Sequence, residues 1–177
     1  MASFYDELPS DLKQISDAEA VARFAAGADV PAQAVAGLSR DQLLAHPVPD
    51  TWSIQQIVVH LLDSDLTAGY RMKRTIAEDR PRLDVYDETA FARRLGYDRL
   101  PVAEVCEVFR RHRLLLAEIL RGQPPEAFAR VALHPESGEL TLGMFVRIYA
   151  HHVNHHLRFI EKKRALLGSP LAASLYV

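Results

Sequence analysis

The sequence predicts an all-α fold, a four-helix bundle with a crossover segment between its second and third long helices. Apolar residues recur at three- and four-residue spacing along most of the chain, and no run alternates with period two. Four long periodic stretches are bracketed by capping residues, prolines and glycines, and most connections between them are short. With 177 residues, 49% hydrophobic and 25% charged, the chain has the balance of one globular domain. The expectation is a single domain over 1–177 with its core at about 17–167.

The elements follow in order. Asp17 is placed to cap a first helix through DAEAVARFAAGA, which Gly27 weakens before Pro31 lets helix restart. Ser39 caps a short turn, RDQLLAH, and the two prolines of PVPDTW forbid its continuation. Ser53 and Gln56 form a capping-box pattern that opens a long helix running to about Asp79. From Arg80 to about Tyr97 a short helix, DETAFARRL, lies in a segment long enough to cross one end of the bundle, as a lid or substrate loop. Pro101 suits the first turn of a third long helix that ends at Gly122 and the pair Pro124 and Pro125. After a helical turn, PEAFAR, the segment LHPESGE has the composition of a loop. Thr141 then caps the fourth long helix, stopped by Gly168.

Composition excludes several partners. The formal net charge is −2 and the 21 Lys and Arg are scattered, so nothing argues for a nucleic-acid backbone or an anionic membrane surface. No stretch approaches the roughly 20 apolar residues of a membrane span, and the opening MASFYDELPSDLKQ has no signal-peptide pattern, so a cytoplasmic protein is expected. Cys106 is the only cysteine and falls in an apolar helical pattern, which reads as a buried small hydrophobe and leaves no Cys-based zinc framework.

Histidine is the unusual residue. There are eight, four of them in HHVNHH. Residues four apart share a helix face one turn apart, so this stretch holds two pairs, His151 with His155 and His152 with His156. On a wheel at ~100° per residue, His152 and His156 fall with the apolar arc of Phe145, Ile148, Tyr149, Val153 and Ile160, while His151 and His155 fall at its edge. Two inward imidazoles need partners for a donor and an acceptor each. Either backbone, carboxylates and water satisfy them, or a divalent Zn, Ni, Fe or Cu ion does. The zinc-protease pattern HExxH is absent, because Val153 follows His152 and His152 follows His151, so that general base is missing. His60, on the flank of the apolar stripe after Ser53, is the best third ligand. Asp65 falls near the centre of that stripe and requires a compensating partner: an arginine, a ligand histidine's second nitrogen, or a metal, with support of a ligand preferred.

The stretch TWSIQQIVVHLLDSD, containing His60, and the later YAHHVNHHLRFI, preceded by HPESGELTLGMFV, resemble the first and last metal-bearing helices of the DinB-like superfamily of four-helix proteins. The resemblance covers roughly residues 17 to 167. It implies His60, His152 and His156 as ligands of one zinc or nickel ion, in an up-down-down-up bundle that is often a homodimer. Relatives of this kind include thiol-dependent transferases and metal-dependent hydrolases. The expected function is therefore a metal-dependent enzyme acting on a small molecule through an open three-histidine site, either by transfer of a low-molecular-weight thiol cosubstrate, placed slightly ahead, or by hydrolysis. Asp65 and His155 are candidates for moving protons or orienting ligands, and Tyr70, Tyr149 and Arg71 for touching substrate. The alternative is a non-catalytic metal- or ligand-binding dimer of stress response.

Overall fold

A computed structural model describes residues 5–6 and 8–177. Short helices α1 (Ser10–Gln14), α3 (Val30–Val35), α4 (Arg40–Leu44) and α6 (Glu88–Arg94) accompany four longer ones. The longer helices are α2 (Asp17–Ala26), α5 (Ile54–Ala77), α7 (Val102–Arg121) and α8 (Leu142–Leu166). Helix α5 packs on α7 and α8, and α2 packs on the same two, so α2 and α5 face each other diagonally across the bundle although they are consecutive long helices.

Local capping sets where most of these helices begin. Ser39, Ser53 and Thr141 each accept from the backbone N–H three residues on, and Gln42 and Gln56 return the bond to the cap amide. The first long helix differs from expectation. Its cap is Ser16, which accepts from the Glu19 amide at 3.1 Å, and Asp17 becomes its first residue. Asp17 instead takes a 2.6 Å contact from Arg147 of α8, tying the two helices together at this end.

The segment read as a loop at LHPESGE is the turn of a two-stranded antiparallel hairpin, β1 (Val131–His134) and β2 (Gly138–Thr141). Its strands are only four residues long, too short to show a period. Tertiary contacts make it: Ala132 and Leu140 are buried in the core, and Leu133 exchanges backbone bonds with the crossover segment at Pro81 and Leu83.

That crossover segment, between α5 and α7, is anchored from both sides. Arg71 of α5 donates to the Asp84 carbonyl, and Arg74 donates to the Arg82 carbonyl at 2.8 Å. The Tyr97 hydroxyl donates to Asp63 at 2.5 Å, and Gln55 donates to the carbonyls of Tyr97 and Leu100. These bonds carry α6 over the N-terminal half of α5, where His60 lies.

Candidate metal centre

Helices α5 and α8 bring three of the eight histidines to one point. His60, His152 and His156 each offer a ring nitrogen, and all three nitrogens lie within 4.8 Å of one another. The spacing follows from helix geometry. Residues 152 and 156 are one turn apart on the face of α8 that meets α5, and their Nε2 atoms stand 3.1 Å apart. The ring centroids of His60 lie 5.4 Å from His152 and 4.7 Å from His156. His60 and His152 are buried, and Trp52 covers the His60 ring with centroids 4.9 Å apart.

Burial determines the protonation of this group. His60 is pulled down to about 4, first by desolvation and then by the charge of His155. His156 falls to about 2, through burial and then its histidine neighbours, and burial holds His152 well below the ordinary imidazole value. Three neutral imidazoles then face one another, which is the ligand form of histidine. One hydrogen bond can join only one pair of facing nitrogens, here those of His152 and His156. A cation at that point satisfies three lone pairs at once. For metal–nitrogen distances of about 2.0–2.1 Å, tetrahedral geometry separates two ligand nitrogens by about 3.3 Å, close to the spacing of the pair on α8. The donor set fits a divalent transition metal, and no fourth His, Cys, Asp or Glu joins it among the described residues.

The surroundings supply what ligand histidines need. His60 Nδ1 is buried without a hydrogen bond, and its nearest carboxylate is Glu88 of α6, at 3.9 Å. Burial raises the pKa of Glu88, and Arg71 opposes the rise. A small closure would let Glu88 accept the Nδ1 proton and turn Nε2 towards the centre. Sequence reasoning missed Glu88, because it sits on a short helix in the crossover and nothing local marks it.

Asp65 stands apart from the three histidines. Its two oxygens accept from Arg113 of α7, Nη2 at 2.8 Å and Nε at 3.0 Å, and His112 Nδ1 lies 3.8 Å away. Of the partners considered for it, the arginine is the one that bonds both of its oxygens. Arg113 also escaped the sequence reading, although it lies in the apolar stripe of Cys106, Phe109, Leu116 and Leu120 and so needed a partner as much as Asp65 did.

The remaining candidates are dispersed. His155 accepts at Nδ1 from Arg158, 2.9 Å away, and stacks edge-on against His156 with centroids 5.2 Å apart. Tyr149 is buried beside His152, Arg71 is occupied by Asp84, and Tyr70 is 60% exposed. Burial pushes the Cys106 thiol up to about 11, as expected of a small core residue.

The fold and the three-imidazole group define a class: four-helix proteins with a histidine cluster of metal-ligand type in the bundle. The chain belongs to the DinB superfamily, whose model matches residues 12–160. A relative from Oceanobacillus iheyensis, provisionally named a metal-dependent hydrolase, is 32% identical over 71% of this chain and 73% of its own length. Another from Bacillus mycoides, with the same provisional name, is 29% identical over 77% of this chain and 79% of its own. Among solved structures, YfiT from Bacillus subtilis superposes with a TM-score of 0.81 at 24% identity, covering 91% of this chain and 93% of its own. YfiT is described as a probable metal-dependent hydrolase with an unusual four-helix bundle topology, and the likeness shows the shared fold.

No described helix is long and apolar enough to cross a membrane.

Metal-free protein should be sensitive to mild acid. Below about pH 6.5 the unfolded chain protonates its histidines, whereas His60 in the folded chain stays neutral to about pH 4. Stability is then fully present above pH 6.5 and is lost as the pH falls towards 4, by about 3 kcal/mol for His60 alone. Urea midpoints of EDTA-treated protein should drop across this window, and His60→Gln should flatten the slope. Equal slopes for the two proteins would contradict the assignment.

Proposed function

We propose that this chain is a metal-dependent enzyme that acts on a small molecule, with His60, His152 and His156 holding one divalent ion, zinc or nickel. The observation that carries the reading is the convergence of three neutral imidazoles, two buried and one half-buried, with no fourth protein donor among the described residues. Such an open site, when loaded, supplies Lewis-acid polarisation of a substrate and a nucleophile at neutral pH. The chain's own side chains do the rest. Glu88, 3.9 Å from His60 Nδ1, is the nearest carboxylate able to take up a proton and would orient the His60 ring on a small closure, while Trp52 packs against that ring.

Hydrolysis is favoured over thiol transfer because the relatives named above carry hydrolase names. A thiol route would need an external cosubstrate, since Cys106 is buried and its thiol is held protonated. A test starts from protein purified without a histidine tag. The expected result is one transition-metal ion per chain, with hydrolysis of a panel of small esters and amides that EDTA abolishes and zinc or nickel restores. Stoichiometric metal without turnover, and without consumption of a thiol when electrophiles are added, would favour the non-catalytic binding protein.

A further inference from the structure

Beside His156 the surface opens into a pocket of about 290 Å³, near the lower end of the ~300–1,000 Å³ typical of small-molecule sites. Val48, Trp52, Ile57 and Phe159 give it apolar walls, the exposed Lys162 also lines it, and so do both His156 and Lys163 of α8. His156 and Lys163 are seven apart, so they repeat on one helix face two turns on, about 10 Å along the axis.

Lys163 is the anomaly in this pocket. It is 3% exposed, yet its Nζ donates to a neutral acceptor, the Thr51 hydroxyl oxygen, at 2.6 Å. That hydroxyl in turn donates to the Val48 carbonyl at 2.8 Å, so it offers the ammonium only a lone pair. No carboxylate forms an ion pair with Lys163 among the described residues. An ammonium has three donors, and a buried one without a counter-charge is unfavourable for folding. Burial and the neighbouring Lys162 accordingly depress its pKa. Its place in the last turn of α8 favours a cation but supplies no formal counter-charge. Arg164 beside it is turned the other way, donating to the carbonyls of Ser169 and of Ala34 and Ala36 at the end of α3. The missing counter-charge is therefore one that arrives with a ligand.

We propose that this pocket binds a small carboxylate with a flat apolar body. Its carboxylate pairs with Lys163, its body lies between Trp52 and Phe159, and its far end is presented at His156. The proposal rests on the metal-dependent reading for what happens at the His156 end, and on Lys163, the buried one of the pocket's two lysines, for the charge preference.

Trp52 is the chain's single tryptophan, so its emission reports occupancy directly. Titration with 3-phenylpropionate and with its neutral amide, 3-phenylpropanamide, tests the pocket in protein as purified and again after EDTA treatment. The acid should bind about tenfold or more tightly than the amide in both states, as a charge-assisted hydrogen bond requires. Lys163→Met should bring acid affinity down to that of the amide, and Lys163→Arg should keep the preference. Where Lys163→Met does not fold, Lys163→Gln reads the same loss. Equal binding of acid and amide, no saturable binding of the acid, or an undiminished preference in the Lys163→Met variant would overturn the proposal. A preference seen only with metal present would overturn it too, since the carboxylate would then sit on the ion. If the chain retains no metal but EDTA-treated protein still prefers the acid through Lys163, the metal reading fails and the pocket stands.

Discussion

Alanine at His152 should strip the chain of its metal: less than about a tenth of the occupancy of the unaltered protein, with His60→Ala behaving alike. Changes to residues that merely hydrogen-bond a ligand cost about 10–100-fold in metal affinity, so loss of one of three direct ligands should exceed that range. His152 is buried between His60, His156 and Tyr149, and no other donor of the described residues stands ready to replace it. His151→Ala and His155→Ala are the controls from the same helix and should keep their metal, because neither joins the converging group. Elemental analysis by mass spectrometry gives the occupancies. Differential scanning gives an independent reading, since a metal that binds only the folded state raises Tm, and that rise should vanish in the His152 variant. Full occupancy in His152→Ala together with loss in His155→Ala would move the site to the outer pair.

What was legible in the sequence followed the range of the interaction. Caps at Ser39, Ser53 and Thr141 are three-residue patterns, and the chain obeys them. The choice of His152 and His156 over His151 and His155 came from their place on the apolar arc of the helical wheel, since both pairs share the four-residue spacing, and the structure converges the former pair with His60. Glu88 lies 28 positions from His60 in the chain, and only the anchoring of the crossover by Arg71, Arg74, Gln55 and Tyr97 brings it near. The hairpin was invisible for the same reason, because its strands depend on α8 and the crossover rather than on their own pattern. Lys163 carried a signal that went unread, a charged residue two turns after His156 on its face of α8.

The largest effect on stability should come from Arg113→Met, at about 3–5 kcal/mol, a large share of the ~5–15 kcal/mol that holds a domain together. Arg113 is fully buried and reaches all the other long helices. Its guanidinium donates to Asp65 of α5, to the Tyr149 carbonyl of α8 at 2.8 Å and to the Phe24 carbonyl of α2 at 3.2 Å, while it stacks on Phe24 and Phe109. Gly27 makes room for it, since a Cβ there would collide with Nη1. Burial alone would raise the Asp65 pKa, but Arg113 and His112 together outweigh it and lower it, in favour of the charged form. Methionine in place of Arg113 leaves that charge buried without its partner, and chemical denaturation should record the loss, with Tm lower by about 10 °C or more. Pairing the change with Asp65→Leu should recover much of the stability, because an apolar pair of similar volume avoids the desolvation of two ions. If the double variant is as unstable as Arg113→Met alone, the bonds to Tyr149 and Phe24 rather than the ion pair dominate. The two outcomes also bear on the histidines, because Asp65 is five residues from His60 and Tyr149 three from His152. A clamp acting through its carbonyl bonds should loosen the metal even in the double variant, whereas an ion pair that only stabilises the core should leave occupancy intact once stability is restored.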